Sequence, residues 1–106
     1  MLIYEVNLSV SAEIGPEYEE FLRHHIPEVI RWGGFSKADW WQRTATDEGA
    51  ENPEGRTLWT IHYHVATREV LESYLRNRAP ALRAEAVAKF GSRFTASRRI
   101  LSAHEK

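Results

Sequence analysis

A chain of 106 residues with no cysteine forms no disulfide, thiolate zinc site or iron–sulfur cluster, and it offers no Cys nucleophile. Its 42% hydrophobic and 27% charged residues suit one folded domain over residues 1–106, with core enough to stand without a metal or disulfide staple. The net charge of −1 hides an acidic first half and a basic second half. The basic half intersperses its arginines with Glu69, Glu72 and Glu85. That pattern suits solvated helix faces and the meeting of two subunits, not nucleic acid.

The first strand is expected over about Leu2–Val10. Side chains alternate across a strand, so Leu2, Tyr4, Val6, Leu8 and Val10 share an apolar face and Glu5, Asn7 and Ser9 lie on the reverse. It begins at once, with no basic or apolar leader, and no apolar run approaches the roughly 20 residues of a membrane span. A cytoplasmic location and no membrane partner are the expectation.

Pro16 then opens a helix, with Glu17, Glu19 and Glu20 near its positive end. Tyr18, Phe21, Leu22, His25, Ile26, Val29 and Ile30 recur at helical spacing as one buried stripe. Pro27 cannot donate to the carbonyl of Arg23, which predicts a kink near His24–His25, and it falls about 180° from Tyr18, on the solvent side. Gly33-Gly34 ends the helix.

A second strand from about Phe35 to Thr44 carries Trp40 and Trp41, of which one faces the helices and the other the reverse side. The polar segment Thr46–Gly55 reads as a long hairpin loop. In the third strand, 57–65, Trp59, Ile61, Tyr63 and Val65 share the apolar face, with Thr60, His62 and His64 opposite. Thr67 caps a helix marked by Val70, Leu71, Tyr74 and Leu75, and Pro80 opens a further piece through Leu82, Val87 and Phe90 that Gly91 closes. Phe94–Ala103 reads as the last strand, followed by a short charged tail.

The order β-α-β-β-α-β, with its second helix split in two, is an α+β, ferredoxin-like pattern: an antiparallel sheet with helices on one face. The polar face would lie bare in a monomer. A homodimer that packs sheet to sheet covers it, and two-fold pairs are the commonest oligomers.

Candidate chemistry falls on two places. His25, beside the proline kink, is suited to acid–base work near neutral pH, or to holding the carbonyl that Pro27 frees. His62 and His64, with Glu5 and Asn7, form a candidate ligand-binding or catalytic face. One of two neighbouring arginines, Arg98 or Arg99, completes it: alternation lets only one of them face this side without deciding which, and Arg98 stands as the candidate. The spacing of His62 and His64 would also suit a strand-borne metal with Glu5 as third ligand. No His-x-x-x-His or Asp cluster accompanies them, so neither a metal nor another cofactor is expected. There is no Gly-rich phosphate loop, Gly-x-Ser-x-Gly or His-Glu-x-x-His.

Four segments carry a resemblance: Leu2-Ile3-Tyr4-Glu5-Val6, His25-Ile26-Pro27-Glu28-Val29, Gly34-Phe35-Ser36-Lys37-Ala38, and the run from Phe90-Gly91-Ser92-Arg93-Phe94 through Arg98-Arg99-Ile100-Leu101. Together they resemble a small bacterial domain-of-unknown-function family of the dimeric α/β-barrel superfamily. The spacing of Phe21, His25 and Pro27 is similar to a helix-one segment in the ether-degradation branch of that superfamily. The resemblance implies a ferredoxin-like subunit and a sheet-to-sheet homodimer, with no established activity. The superfamily also holds haem-degrading and quinol-forming monooxygenases, cyclases and isomerases. Where the family more often has Gln-Tyr in strand three, this chain has His62-Tyr63-His64.

The functional expectation is a small-molecule-binding homodimer that uses the polar sheet face and the cleft beneath helix one. Its rivals are a cofactor-independent monooxygenase, cyclase or isomerase acting on an aromatic or polyketide-like substrate, and a purely structural dimer. A pocket of ~300 Å³ with convergent polar groups separates binding from structure.

Overall fold

Period-two alternation in four strands sets the layers of this molecule. The computed structural model describes residues 1–104, so the charged tail at 105–106 lies outside the described residues. β1 (Leu2–Val10), β2 (Phe35–Arg43), β3 (Thr57–Val65) and β4 (Phe94–Ser102) form one sheet in the order β2-β3-β1-β4, with every neighbouring pair antiparallel. The helices α1 (Gly15–Ile30), α2 (Arg68–Asn77) and α3 (Ala79–Phe90) cover one face. This is the α+β, ferredoxin-like arrangement that the order of elements implied.

Register aligns the apolar faces. Tyr4 lies between Tyr63 and Ile100, Leu8 between Trp59 and Ala96, and Val6 between Ile61 and Arg98. Beneath the helices the core is closed by Leu22 and Val29 of α1, Leu71 of α2 and Leu82 of α3, none more than 2% exposed. Each such side chain contributes about 1.5–3 kcal/mol through burial. Tyr18 anchors an aromatic cluster, its ring 4.7 Å from Phe90 and 5.1 Å from Phe94.

α1 carries Pro16 in its first turn and runs on through Pro27, which is exposed as its helical phase predicts. The Arg31 N–H donates to the Pro27 carbonyl at 2.9 Å and closes the last turn. Gly34 then holds φ at +84°, and a Cβ built there would lie 2.5 Å from Val70 Cγ1 of α2. Only glycine allows the chain to pass so close in that conformation.

In β2 a register shift between Phe35 and Lys37 keeps Phe35 turned inward against Val65. Trp40 faces the helices and meets Trp59 at 5.6 Å, while Trp41 lies on the reverse face, 56% exposed. Thr67 accepts a hydrogen bond from the Val70 N–H at 3.2 Å and starts α2. Arg78, with φ −124° and ψ −40°, separates α2 from α3, and Pro80 lies in the first turn of α3. A proline ring there clashes with the carbonyl four residues back, so the helix cannot run straight through.

Candidate functional site

The register of β1 fixes the polar face. Glu5 pairs with His62 on one side and with Arg99 on the other. His62 Nε2 lies 2.8 Å from Glu5 Oε1, Arg99 Nε donates to Glu5 Oε2 at 2.5 Å, and Asn7 Nδ2 donates to the same oxygen at 2.8 Å. Glu5 is only 4% exposed. The Arg99 guanidinium, more than any other partner, holds its carboxyl at about 2, against burial, with help from Asn7 and His62. An ionised carboxylate only accepts, so His62 presents Nε2–H to it.

From Asn7 the network continues. Thr60 Oγ1 donates to Asn7 Oδ1 at 2.7 Å, Arg43 Nη1 reaches Thr60 Oγ1 at 3.4 Å, and Arg43 Nε donates to Glu48 Oε2 at 2.7 Å. His64 stands apart: its Nε2 lies 2.8 Å from Asp39 Oδ2, and that bond holds the Asp39 carboxyl below its usual range. The two histidines share a face but serve different carboxylates. Among the described residues no cluster of three or more His, Cys, Asp or Glu could hold a metal ion.

The arginine of this face is Arg99, not Arg98. Neighbouring residues of a strand point oppositely, and Arg98 lies opposite Val6 on the helix side. Alternation in the third strand places Thr60 on this face from the sequence, whereas Asp39, Arg43 and Glu48 are not singled out there. Alternation along β2 is the signal that finds the first of them, since Lys37, Asp39, Trp41 and Arg43 fall on one side.

Arg98 belongs to a second place, a cavity of about 220 Å³ enclosed by α1, α3 and the helix side of the sheet. Its walls are mainly apolar, among them Val6, Leu8, Ile61 and Phe94. Tyr4, Tyr18, Tyr63 and Tyr74 add phenol groups, and Arg83 Nη2 donates to the Tyr4 hydroxyl at 3.0 Å. Burial pushes Tyr18 up to about 12, and pushes Tyr63 and Tyr74 up as well, so these hydroxyls keep their protons.

His25 separates this cavity from an outer groove between α1 and α3, of about 430 Å³, which shares Phe21, His25 and Leu82 with it. The imidazole stacks on Phe21, with ring centres 5.2 Å apart and planes at 20°. Among the described residues it has no hydrogen-bond partner, so it does not hold the carbonyl of Arg23 that Pro27 frees. The reason is directional: His25 follows the buried stripe, whereas Arg23 and Pro27 face solvent. Burial lowers the His25 pKa, and Arg98 and Arg78 push the same way against Glu85 and Glu28. Near pH 7 the ring is neutral. It lies on the opposite side of the sheet from His62 and His64, so the three histidines do not form one site.

The fold recurs in solved structures. A presumed antibiotic biosynthesis monooxygenase from Deinococcus radiodurans superposes with a TM-score of 0.70 at 17% identity, over 100% of this chain and 95% of that one. SnoaB, a cofactor-independent oxygenase from Streptomyces nogalater, gives 0.68 at 11% identity over 99% and 95%. The heme-degrader MhuD from Mycobacterium tuberculosis, solved with two hemes in its active site, gives 0.63 at 19% over 98% and 97%. At these identities the likeness is one of fold. A comparison with curated proteins finds no match. Residues 1–104 match the sequence model of a domain of unknown function, DUF4286, and the chain belongs to that family.

Proposed function

We propose that the protein is a homodimer that binds one small, largely apolar ring molecule per chain in the cavity between α1, α3 and the sheet. The observation that carries this reading is the cavity itself, with apolar walls, convergent phenols and a neutral imidazole at its outer side. At about 220 Å³ it is smaller than the ~300 Å³ of drug-sized pockets. It exceeds the roughly 150 Å³ that accommodates benzene in an engineered protein cavity. A one- or two-ring ligand fits that range. His25 and the Tyr4 hydroxyl are the groups best placed to orient it. That the fold also serves an oxygenase and a heme-degrader supports a binding role.

In this reading the polar face of Glu5, Asn7, His62, His64 and Arg99 is the dimer contact. Its acids and bases already pair within one chain, and the exposed Trp41 beside them gains cover from a second copy.

The test is calorimetric titration with 2-naphthamide, an uncharged two-ring probe. One molecule per chain is expected, with binding lost in Ala96→Phe, whose ring would fill the cavity from the half-buried β4 position. A variant that binds as well overturns the reading, as does wild-type protein that takes up neither this probe nor its carboxylate counterpart, 2-naphthoate.

A further inference from the structure

Among the described residues the cavity lining includes two guanidinium groups and no carboxylate. Arg83 comes from α3 and Arg98 from β4, so a helix and the edge strand each bring one cation to the lining. Both are exposed, which sets them at the rim and not the floor. Arg83 donates to the Tyr4 hydroxyl. Among the described residues Arg98 makes neither a salt bridge nor a side-chain hydrogen bond. This contrasts with Arg99, one residue on, which is bound to Glu5. Arg98 also breaks the apolar alternation of β4, standing between Ala96 and Ile100 on the side that meets the helices. At the rim its guanidinium stays hydrated, so its donors are free to take an anionic group that enters the cavity.

The geometry points to an aromatic carboxylate as the ligand of this cavity, its ring among the tyrosines and phenylalanines and its carboxylate on the Arg98 guanidinium, with Arg83 beside it. This rests on the cavity-binding reading above and adds the chemical class. A guanidinium fork matches a carboxylate through two parallel N–H bonds, which a lysine could not do. At the rim the carboxylate keeps part of its hydration while the ring enters the apolar part.

The experiment compares two probes of one shape, 2-naphthoate and 2-naphthamide, on the wild-type protein and on Arg98→Gln, by calorimetry at low and moderate salt. The wild type is expected to prefer the naphthoate by tenfold or more, with the preference shrinking as salt rises. Arg98→Gln is expected to abolish most of it, weakening the naphthoate far more than the amide. Because Arg98 is exposed and unpaired, that variant keeps its fold, and an unaltered circular dichroism spectrum confirms this. Equal binding of the two probes by the wild type overturns the carboxylate assignment and leaves the cavity reading standing. So does a preference that survives Arg98→Gln. Failure of both probes to bind overturns both, as does naphthoate binding that Ala96→Phe leaves intact.

Discussion

Glu5 has an unusual position for a carboxylate: almost wholly buried on a sheet face that is polar, with each of its oxygens engaged. Its carboxyl titrates at about 2 in the folded chain, against 4.5 when unperturbed. The sign follows from linkage. The ionised form is favoured by folding, so its contribution is complete above pH 4.5, fades as pH falls, and is gone below about 2. Urea denaturation at fixed protein concentration should therefore show a loss of stability across that window, and Glu5→Gln should flatten it. Arg99→Gln should move the loss to higher pH while costing only about 1 kcal/mol near neutrality, because Arg99 is 67% exposed and water screens the pair. An acid limb untouched by either change would show that Glu5 is not what titrates. At this scale the sequence is legible in part. Alternation alone places Glu5, Asn7, His62 and His64 on one face. It cannot choose between Arg98 and Arg99, because the phase of an edge strand depends on its pairing partner, and only the register of Glu5 with Arg99 decides it.

Elements were the most legible scale, and the reasons are local. Pro16, Thr67, Pro80 and Gly91 mark helix ends through φ restriction or capping, which depend little on the rest of the chain. What local chemistry does not reveal is which turn is pressed against another element. Gly34 reads from sequence as an ordinary helix stop, yet it is where the α1–β2 turn meets Val70 of α2. Gly34→Ala should cost roughly 2 kcal/mol or more, from the +84° φ and from the overlap together. In a Val70→Ala background both Cγ overlaps are gone and only the 3.2 Å approach to the Cβ remains, so the same change should cost closer to about 1 kcal/mol. Equal costs in the two backgrounds, read from urea midpoints, would mean that the turn moves away from α2 freely and is no fixed contact.

At the scale of the whole molecule, the cavity was the least legible feature. Tyr4, Tyr18, Tyr63 and Tyr74 read as core from their periodicity, and they are core. The space between them depends on how far α3 stands from β4, a distance no residue pattern encodes. The one signal was Arg98 among Phe94, Ala96 and Ile100. The bare sheet face was legible, because four strands that alternate in phase leave one side polar. Its size also argues for a partner. Four strands at about 4.8 Å spacing and nine residues at about 3.3 Å rise span roughly 600 Å² per copy, so two such faces together bury somewhat over 1,000 Å². That just clears the area a specific interface needs. The pair should thus be real at micromolar concentration but sensitive to single changes. Light scattering should give about twice the 12.3 kDa of one chain. Trp41, 56% exposed on that face, is the largest apolar group a second copy would cover. Trp41→Glu puts a carboxylate there beside Asp39 and Glu48, so it should yield a folded monomer that still binds 2-naphthamide, since the cavity lies on the other side of the sheet. A wild-type monomer would remove the dimer. A Trp41→Glu protein that stays dimeric would move the contact to another surface.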